Sequence, residues 1–244
     1  MTKDEAWVLE EKYDGKKIAA FEKDRARLAE GEPVAYVIGW QPFLGLRIYL
    51  DSRPLIPRPE TEWWTEKLLT TLKETDGDLT LLDLCAGSGA IGCAFLRALP
   101  TAHVYVGEID AAHQKTIEKN IQENNLDASR AHIGIGDLFA PFGAQTFDII
   151  ACNPPYIPEK RTLPESVRAY EPKEALFSGT DGLSLIREIA KQLPRHLNKG
   201  GAAWIECDTA HIENAQTLFE SAGFSTHIQN DQYATARVVV VTWS

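Results

Sequence analysis

Short apolar runs recur at regular intervals along the last two thirds of the chain, from residue 79 onward. These runs predict buried strands, and the longer mixed segments between them predict helices. The predicted strands span 79–84, 103–108, 131–136, 147–152 and 202–207, and the predicted helices span 89–98, 111–124, 182–197 and 211–222. Two closing strands, 224–229 and 236–243, are joined by a turn near Asn230-Asp231 and predict an antiparallel hairpin.

Regular alternation of strands and helices is typical of a mostly parallel sheet that helices cover on both faces. We therefore predict an α/β protein with a Rossmann-like fold, whose seven-stranded sheet ends in the antiparallel hairpin. This sheet belongs to a predicted domain over residues 61–244, which begins with a helix over 61–74.

Residues 1–30 are highly charged, with large apolar side chains such as Trp7 and Phe21 scattered among Glu, Lys and Arg. This pattern predicts one or two short helices that are broken near Gly15, because glycine favours a break in regular structure. We treat residues 1–30 as a short helical segment that precedes the rest of the fold.

Residues 31–60 differ in character from the segment before them. The stretch 33–39 is expected to be extended, and 43–50 continues it with a turn at Gly45, so together they predict a β-hairpin. A proline-bounded loop over 53–61 then links the hairpin to the main domain.

Composition sets limits on the function. The chain has 244 residues, 44% of them hydrophobic, which is enough for one sizeable α/β domain and a small appendage. No run of about 18 apolar residues occurs, so we expect no membrane span. The polar, acidic N-terminus is unlike a signal peptide. A net charge of −10 argues against duplex nucleic acid as the main partner. We expect a monomeric, cytoplasmic protein that acts on a protein or a small molecule.

Cysteine and histidine usage gives no sign of a metal centre. The cysteines lie at positions 85, 93, 152 and 207 without CxxC spacing, and the histidines are scattered. Buried thiols in a reducing compartment are favoured over disulfides or zinc. We therefore predict no metal site.

The most informative segment is Asn153-Pro154-Pro155-Tyr156, which follows the predicted strand 147–152. Each proline fixes φ and lacks an N–H, so the loop is stiff and continues neither as a central strand nor as a helix. The Asn153 side-chain carbonyl and the Pro154 backbone carbonyl can both accept from one substrate NH2 group, and Tyr156 offers a flat face. This clamp suits a planar amide or the exocyclic amine of a base. The alternative is a proline-rich turn without further function.

A glycine-rich segment lies at the predicted strand-to-helix junction, where it can hold a cofactor. Its candidate binding residues are Asp83, Cys85, Ala86, Gly87, Ser88 and Gly89. Glycine lets a ligand approach the backbone, and the start of the helix offers free N–H groups. A loop of this kind is a weak signal by itself, because dinucleotide sites have a similar pattern.

Acidic residues at the ends of the next strands extend the predicted cofactor site. Glu108 ends the second strand, where a carboxylate accepts both ribose hydroxyl hydrogens, whereas Asp110 is predicted to cap the following helix. Asp137 ends the third strand, at the rim of a predicted adenine pocket. Leu138 and Phe139 either pack on the adenine or belong to the core.

A nucleotide cofactor beside a clamp for an NH2 group indicates methyl transfer, with S-adenosylmethionine as the cofactor. The sulfonium of this cofactor is already electrophilic, so the protein mainly has to position the acceptor nitrogen. No strong general base is required if the proton leaves after the transfer.

The chain resembles the release factor glutamine methyltransferases, the HemK/PrmC family, within the class I S-adenosylmethionine-dependent methyltransferases. The resemblance runs from about Gly31 to the C-terminus. It rests on six segments besides the clamp and the glycine loop: 31–36, 55–62, 157–158, 170–172 with 175–176, 179–183 and Asp231 with 237–239.

The resemblance implies methylation of N5 of the glutamine in the Gly-Gly-Gln loop of peptide chain release factors. It implies that Asn153, Pro154 and Tyr156 are catalytic, and that they bind the glutamine together with Pro155. Asn153 would also touch the cofactor.

By the same resemblance the loop 57–60 borders the active site. Arg58 and Pro59 are therefore candidate substrate-binding residues, with a structural ion pair as the alternative for Arg58. Glu206 matches an acidic position of the family; it is either catalytic or a solvated carboxylate at the end of a strand.

Three features depart from the family pattern. Only 30 residues precede Gly31, where the family carries a longer helical domain that helps to dock the release factor. Cys85 replaces the first glycine of the loop, which is tolerated if its φ is negative. Glu108 stands where the family often has aspartate, and it is long enough to reach two hydroxyls.

Three alternatives remain at this stage. The acceptor can be a glutamine of a ribosomal protein, although the enzymes that methylate one tend to have Pro-Arg-Ser-Pro at 57–60. It can be the N6 of adenine or the N2 of guanine in nucleic acid, since an Asn-Pro-Pro-aromatic loop also clamps flipped bases. Finally, the chain can be a cofactor-binding module without activity.

Overall fold

The computed structural model of the chain describes residues 1–72 and 78–244. Helices and a small hairpin come first: α1 (Lys3–Tyr13), α2 (Ala19–Ala29), α3 (Val34–Ile38), β1 (Trp40–Phe43) and β2 (Leu46–Tyr49). α1 and α2 confirm the predicted helices on either side of Gly15. They pack with α3 around a small core of their own, formed by Val8, Leu9, Phe21, Val37 and Ile38.

The stretch 33–39 is helical, and the prediction that it is extended was wrong. Pro33 has a φ of −56° at the N-cap of α3, and Gly39 closes the helix with a φ of 99° and an N–H that donates to the carbonyl of Ala35. Residues 35–38 are all buried, so the sequence shows no alternation that separates helix from strand. The hairpin consists of β1 and β2 instead, with the turn at Gly45 as predicted.

The main sheet confirms the predicted fold class. Its strands are β3 (Thr80–Leu84), β4 (His103–Glu108), β5 (Ala131–Ile135), β6 (Phe147–Cys152), β7 (Leu197–Glu206), β8 (Phe224–Asn230) and β9 (Ala236–Trp243). Their order across the sheet is β5-β4-β3-β6-β7-β9-β8. The first five run parallel, whereas β9 is antiparallel to both β7 and β8.

Helices cover both faces of this sheet: α4 (Pro59–Leu72), α5 (Ala90–Ala98), α6 (Gln114–Glu123), α8 (Ser184–Gln192) and α9 (Ile212–Ser221). The short α7 (Glu165–Tyr170), between α6 and α8 along the chain, has no fully buried residue. Neighbouring strand residues point to opposite faces. Leu81 therefore lies in one buried core with α4, α5, α6 and the small hairpin, and Leu82 in the other with α8 and α9. The strands thus carry apolar residues at consecutive positions, which made them visible in the sequence.

Element boundaries differ from the predictions at several ends. α4 begins at Pro59, where proline suits the first turn of a helix; Lys73 and Glu74, the end of the predicted helix, lie outside the described residues. The helix predicted over 182–197 ends at Gln192, and β7 begins already at Leu197 rather than at 202. α7 was not predicted. Within the described residues, no helix is both long and apolar enough to span a membrane.

Candidate active site

The carboxyl ends of the parallel strands bring most of the predicted site residues together at one edge of the sheet. The glycine loop follows β3, and the Asn153–Tyr156 loop follows β6, which pairs with β3. Because β3 lies between β4 and β6, the strand order changes direction there, and ligands bind at such switch points. Two cavities meet at this edge, and Asn153 lines both of them.

The smaller cavity lies along the glycine loop. Asp83, Cys85, Ala86, Gly87 and Ser88 form part of its wall. Gly87 has a φ of 56°, a left-handed conformation that glycine adopts without strain. The loop therefore presents backbone to the cavity over several residues in a row, as a nucleotide site requires.

Glu108 fixes this loop from the end of the neighbouring strand. Its Oε2 accepts from the backbone N–H of Gly87 at 2.7 Å, and its Oε1 accepts from that of Asp110 at 2.9 Å. The Asp110 side chain caps the turn at Ala111–His113, as predicted. Each Glu108 oxygen has accepted one hydrogen bond and retains a lone pair for another donor.

Asp83 is a buried carboxylate with one unused oxygen. Its Oδ2 accepts from the backbone N–H of Gly92 at 2.8 Å, whereas its Oδ1 has no hydrogen-bond partner among the described residues. Burial raises the pKa of Asp83 to about 7, and the nearby Glu108 adds to this effect. A buried unpaired carboxylate oxygen favours a cationic or hydrogen-bonding ligand in the cavity.

Cys85 does not meet the condition of a negative φ under which a cysteine is tolerated at this position. Its φ is 60°, so the cysteine keeps the left-handed backbone that a glycine adopts freely. Left-handed backbone costs a residue with a Cβ atom about 1–2 kcal/mol. The loop geometry therefore persists at this position despite the change of side chain.

Of the residues predicted at the rim of the adenine pocket, one lies at the surface and two lie in the core. Asp137 is exposed, whereas Leu138 and Phe139 are buried in the core that α8 and α9 cover. Phe139 stacks on His196 with ring centroids 4.4 Å apart. Ile109, which directly follows Glu108, is a large apolar side chain that is 66% exposed.

The larger cavity is a cleft of about 340 Å³ on the other side of Asn153. Asn153, Pro154 and Tyr156 form part of its wall, whereas Pro155 does not. The Asn153 Nδ2 donates to the Thr61 hydroxyl at 3.1 Å. This contact uses the nitrogen of the Asn153 amide. The oxygen, Oδ1, lies on the other side of the amide group and can accept a hydrogen bond from a ligand.

Glu206 is buried, and its interpretation as a solvated carboxylate was wrong. It is 1% exposed and accepts three hydrogen bonds: from Thr61 Oγ1 at 2.7 Å, from Trp64 Nε1 at 2.7 Å and from Tyr156 OH at 2.9 Å. Burial raises the pKa of Glu206, although these hydrogen bonds oppose the shift. The pKa of the Tyr156 phenol is also raised well above its usual range, by burial and by the Glu206 charge.

Two arginines border the cleft, each paired with a buried carboxylate. Arg58 Nη2 lies 2.6 Å from Glu171 Oε1, whereas Arg237 Nη2 lies 3.2 Å from Asp231 Oδ2. Arg58 therefore has the structural ion pair that was its alternative role, and it lines the cleft as well. Arg237 was not predicted as a site residue, although it lay in a segment that matched the family. Pro59 is exposed at the start of α4 and does not line the cleft.

No group of three or more His, Cys, Asp or Glu side chains in the described part of the chain is arranged to hold a metal ion. The polar groups of the site are thus a backbone loop, amide and phenol groups, buried carboxylates and the two arginines paired with carboxylates.

Comparison with known proteins agrees with this geometry. The family model of the methyltransferase small domain matches residues 62–169. A methyltransferase structure from Pyrococcus furiosus aligns with a TM-score of 0.59 at 18% identity, covering 90% of this chain and 97% of that one. The chain thus has a Rossmann-like fold and contains a methyltransferase small domain over residues 62–169.

Relatives with higher sequence identity define the family of this chain more narrowly. The release factor glutamine methyltransferase of Geobacter sulfurreducens is 36% identical over 201 residues, which is 82% of this chain and 69% of that protein. The protein of the same description from Agrobacterium fabrum is 38% identical over 204 residues, 82% of this chain and 70% of the relative. The chain belongs to the release factor glutamine methyltransferase family.

Proposed function

We propose that the protein transfers a methyl group from S-adenosylmethionine to the side-chain amide nitrogen of a glutamine in a peptide chain release factor, within its Gly-Gly-Gln loop. The observation that carries the proposal is the position of Asn153 between the two cavities. A methyl donor in the smaller cavity and an acceptor amide in the cleft meet at this residue. Membership of the family supports the choice of a release factor as the protein substrate.

The residues of the smaller cavity fit the cofactor. S-adenosylmethionine carries an ammonium and a sulfonium cation, and the unpaired Oδ1 of Asp83 is a buried anionic partner for a cation. The loop 85–89 would approach the cofactor with its backbone, and Glu108 would accept from the ribose hydroxyls with its remaining lone pairs. When bound, the cofactor supplies an electrophilic methyl group.

Further residues are assigned to the adenine end of the cofactor. The exposed Ile109 offers an apolar contact beside Glu108. Asp137 stays assigned to the rim of the adenine pocket as in the sequence prediction, whereas Leu138 belongs to the core that α8 and α9 cover.

The acceptor side suits a primary amide. The Asn153 Oδ1 and the Pro154 carbonyl accept the two N–H groups of the glutamine, while Tyr156 provides a flat wall. Two acceptors on one NH2 group orient the nitrogen towards the methyl group and increase its electron density. Positioning of this kind is the main task when the electrophile is already reactive. One proton of the nitrogen leaves to solvent after the transfer.

The charge of the chain supports a protein substrate over nucleic acid. A net charge of −10 opposes binding to a polyanion, and a release factor is a protein of the cytoplasm. The proposal therefore includes a cytoplasmic enzyme that acts as a monomer and does not bind duplex nucleic acid. The pairing of Arg58 and Arg237 with carboxylates reduces the net positive charge at the cleft.

A transfer assay tests the proposal. Purified protein is incubated with S-adenosylmethionine labelled in the methyl group and, separately, with a release factor, ribosomal proteins, ribosomal RNA and duplex DNA. We expect label on the release factor and none when its Gly-Gly-Gln glutamine is replaced by alanine. Label on a nucleic acid or on a ribosomal protein alone contradicts the proposal.

A further inference from the structure

Glu206 differs from the other buried carboxylates around the cleft. Glu171 and Asp231 each lie in an ion pair with an arginine, whereas the described residues place no cation within ion-pair distance of Glu206. Its three donors, Thr61, Trp64 and Tyr156, are all neutral. The charge of Arg237, which also borders the cleft, acts on Glu206 only from beyond ion-pair distance, and burial outweighs it in the pKa of Glu206. A buried charge whose hydrogen-bond partners are neutral lowers stability relative to a neutral side chain. Stability therefore does not explain why a carboxylate occupies this position.

The three donors come from two segments that form the acceptor site. Thr61 and Trp64 lie on α4, and Tyr156 lies in the loop after β6. Glu206 itself ends β7, next to β6 in the sheet. One carboxylate at the floor of the cleft thus ties the first turns of α4 to the Asn153–Tyr156 loop.

Thr61 connects Glu206 with Asn153. A hydroxyl has one hydrogen, and that of Thr61 is donated to Glu206 Oε2. The Thr61 oxygen can then only accept, so it binds the NH2 end of the Asn153 amide, as the 3.1 Å contact from Nδ2 shows. A rotated amide would place the Asn153 oxygen against another lone pair. The charge on Glu206 therefore determines which end of the Asn153 amide is presented to a substrate.

Tyr156 forms the second connection. Its hydroxyl donates to Glu206 Oε1 at 2.9 Å, which fixes the end of the ring that borders the cleft. Oε2 accepts from Thr61 and Trp64 and Oε1 accepts from Tyr156, so one carboxylate holds all three neighbours.

We propose that Glu206 is a positioning residue, which sets the amide orientation of Asn153 through Thr61 and holds the ring of Tyr156 directly. This inference rests on the proposed function, since it assigns the acceptor amide to Asn153. It implies that a neutral residue at position 206 releases the hydroxyl of Thr61, which can then donate to Asn153 and let its amide rotate.

Two variants and a matched control test the inference by steady-state kinetics with the release factor. Thr61→Val keeps the side-chain shape and removes the link to Asn153, and Glu206→Gln removes the charge. Thr65→Val is the control, because Thr65 is equally buried one turn further along α4 and donates only to the carbonyl of Thr61. We expect kcat to fall about 10- to 100-fold in Thr61→Val and Glu206→Gln, as misplaced catalytic groups cost. Thr65→Val should stay within about threefold of the wild type.

The effects should also be coupled and confined to the acceptor side. The double variant Thr61→Val/Glu206→Gln should be as active as the less active of the two single variants. The effects of substitutions within one hydrogen-bond network are not additive. Dissociation constants for S-adenosylhomocysteine, measured by calorimetry, should stay within about threefold of the wild type in both variants, the usual range for a site that is not touched. Additive losses, or a Thr61→Val enzyme as active as Thr65→Val, overturn the inference.

Stability and pH distinguish positioning from a structural role. Since burial raises the pKa of Glu206, we expect Glu206→Gln to unfold at the same or a higher temperature at neutral pH while its activity is low. The wild type should lose kcat on acidification as Glu206 takes up a proton, and Glu206→Gln should lack this loss. A Glu206→Gln enzyme that has the wild-type acid profile contradicts the inference. A wild type that does not methylate the release factor refutes the proposed function instead.

Discussion

The two sides of Asn153 are built by different means. On the cofactor side, consecutive residues of one loop present backbone to the cavity, and one carboxylate, Glu108, fixes them. On the acceptor side, separate segments contribute single side chains, each held by its own buried carboxylate: Asn153 and Tyr156 by Glu206, Arg58 by Glu171, and Arg237 by Asp231.

This difference has consequences for the effects of mutation. A site built from backbone tolerates side-chain changes, as the left-handed Cys85 illustrates. A site built from buried, charged side chains depends on every partner, because an unpaired buried group costs several kcal/mol. We therefore expect substitutions on the acceptor side to affect turnover and stability while cofactor binding is kept. Substitution of Asp83, the buried carboxylate of the cofactor side, should instead lower cofactor affinity.

Asn153→Ala should have the largest effect on turnover. It removes one of the two acceptors for the glutamine NH2 group, so we expect kcat to fall by about 10³-fold, the upper range for one preorganised hydrogen-bonding group. Calorimetry with S-adenosylhomocysteine should show a dissociation constant within roughly tenfold of the wild type, a loss of at most one hydrogen bond. Equal losses in turnover and cofactor affinity would abolish the distinction between the two sides.

Asp83→Asn should separate cofactor affinity from stability. We expect affinity for S-adenosylmethionine to fall about 10- to 100-fold, the usual effect of losing a charged partner, while the KM for the release factor changes little.

The same variant should be more stable than the wild type without ligand above pH 7. The folded-state pKa of Asp83, about 7, is raised above its unfolded value, so its contribution to stability is present in acid and is lost as the pH rises through 7. Urea unfolding from pH 5 to pH 8 should show the advantage of Asp83→Asn growing with pH. An advantage that shrinks as the pH rises contradicts this assignment.

Arg58→Met should destabilise the protein by roughly 3 kcal/mol, because it leaves Glu171 buried without its cation. Urea unfolding measures the loss, and the double variant Arg58→Met/Glu171→Gln should recover most of it. Cofactor affinity should not change. If the single variant is as stable as the wild type, the ion pair does not hold the cleft wall.

Cys85→Gly should produce the smallest effect, and it should stabilise the protein, unlike Arg58→Met. Removing the Cβ from a residue with a φ of 60° relieves strain, whereas the greater freedom of glycine in the unfolded chain offsets part of the gain. We expect a stabilisation of about 0.5–1 kcal/mol in urea unfolding. The control, Cys93→Gly within α5, should instead be destabilising. Loss of stability in Cys85→Gly would show that the cysteine side chain contributes packing that outweighs the strain.

The same contrast explains how far the sequence could be interpreted. The fold class, the glycine loop and most strand boundaries follow from local patterns, and the structure confirms β4, β6 and β9 at the predicted residues. The start of β7 at Leu197 did not follow from them. The prediction for the stretch 33–39 was wrong because a fully apolar run of five residues shows neither the helical nor the strand periodicity of hydrophobic positions.

The contacts on the acceptor side could not be predicted from local sequence patterns, for a different reason. The donors of Glu206 lie 142, 145 and 50 residues away along the chain, so no spacing rule connects them. A carboxylate at a strand end is usually solvated, and only the packing of α4 on the sheet shows that this one is buried. The partners of Arg58 and Arg237 were likewise visible only in three dimensions.

The central claim is that a glutamine side-chain amide is the methyl acceptor. The most direct measurement is fragmentation mass spectrometry of a release factor after incubation with S-adenosylmethionine and either the wild type or Asn153→Ala. We expect one added methyl group on the glutamine side chain of the Gly-Gly-Gln loop with the wild type, and none with Asn153→Ala. A methyl group on any other residue, or the same modification with both enzymes, would contradict the account.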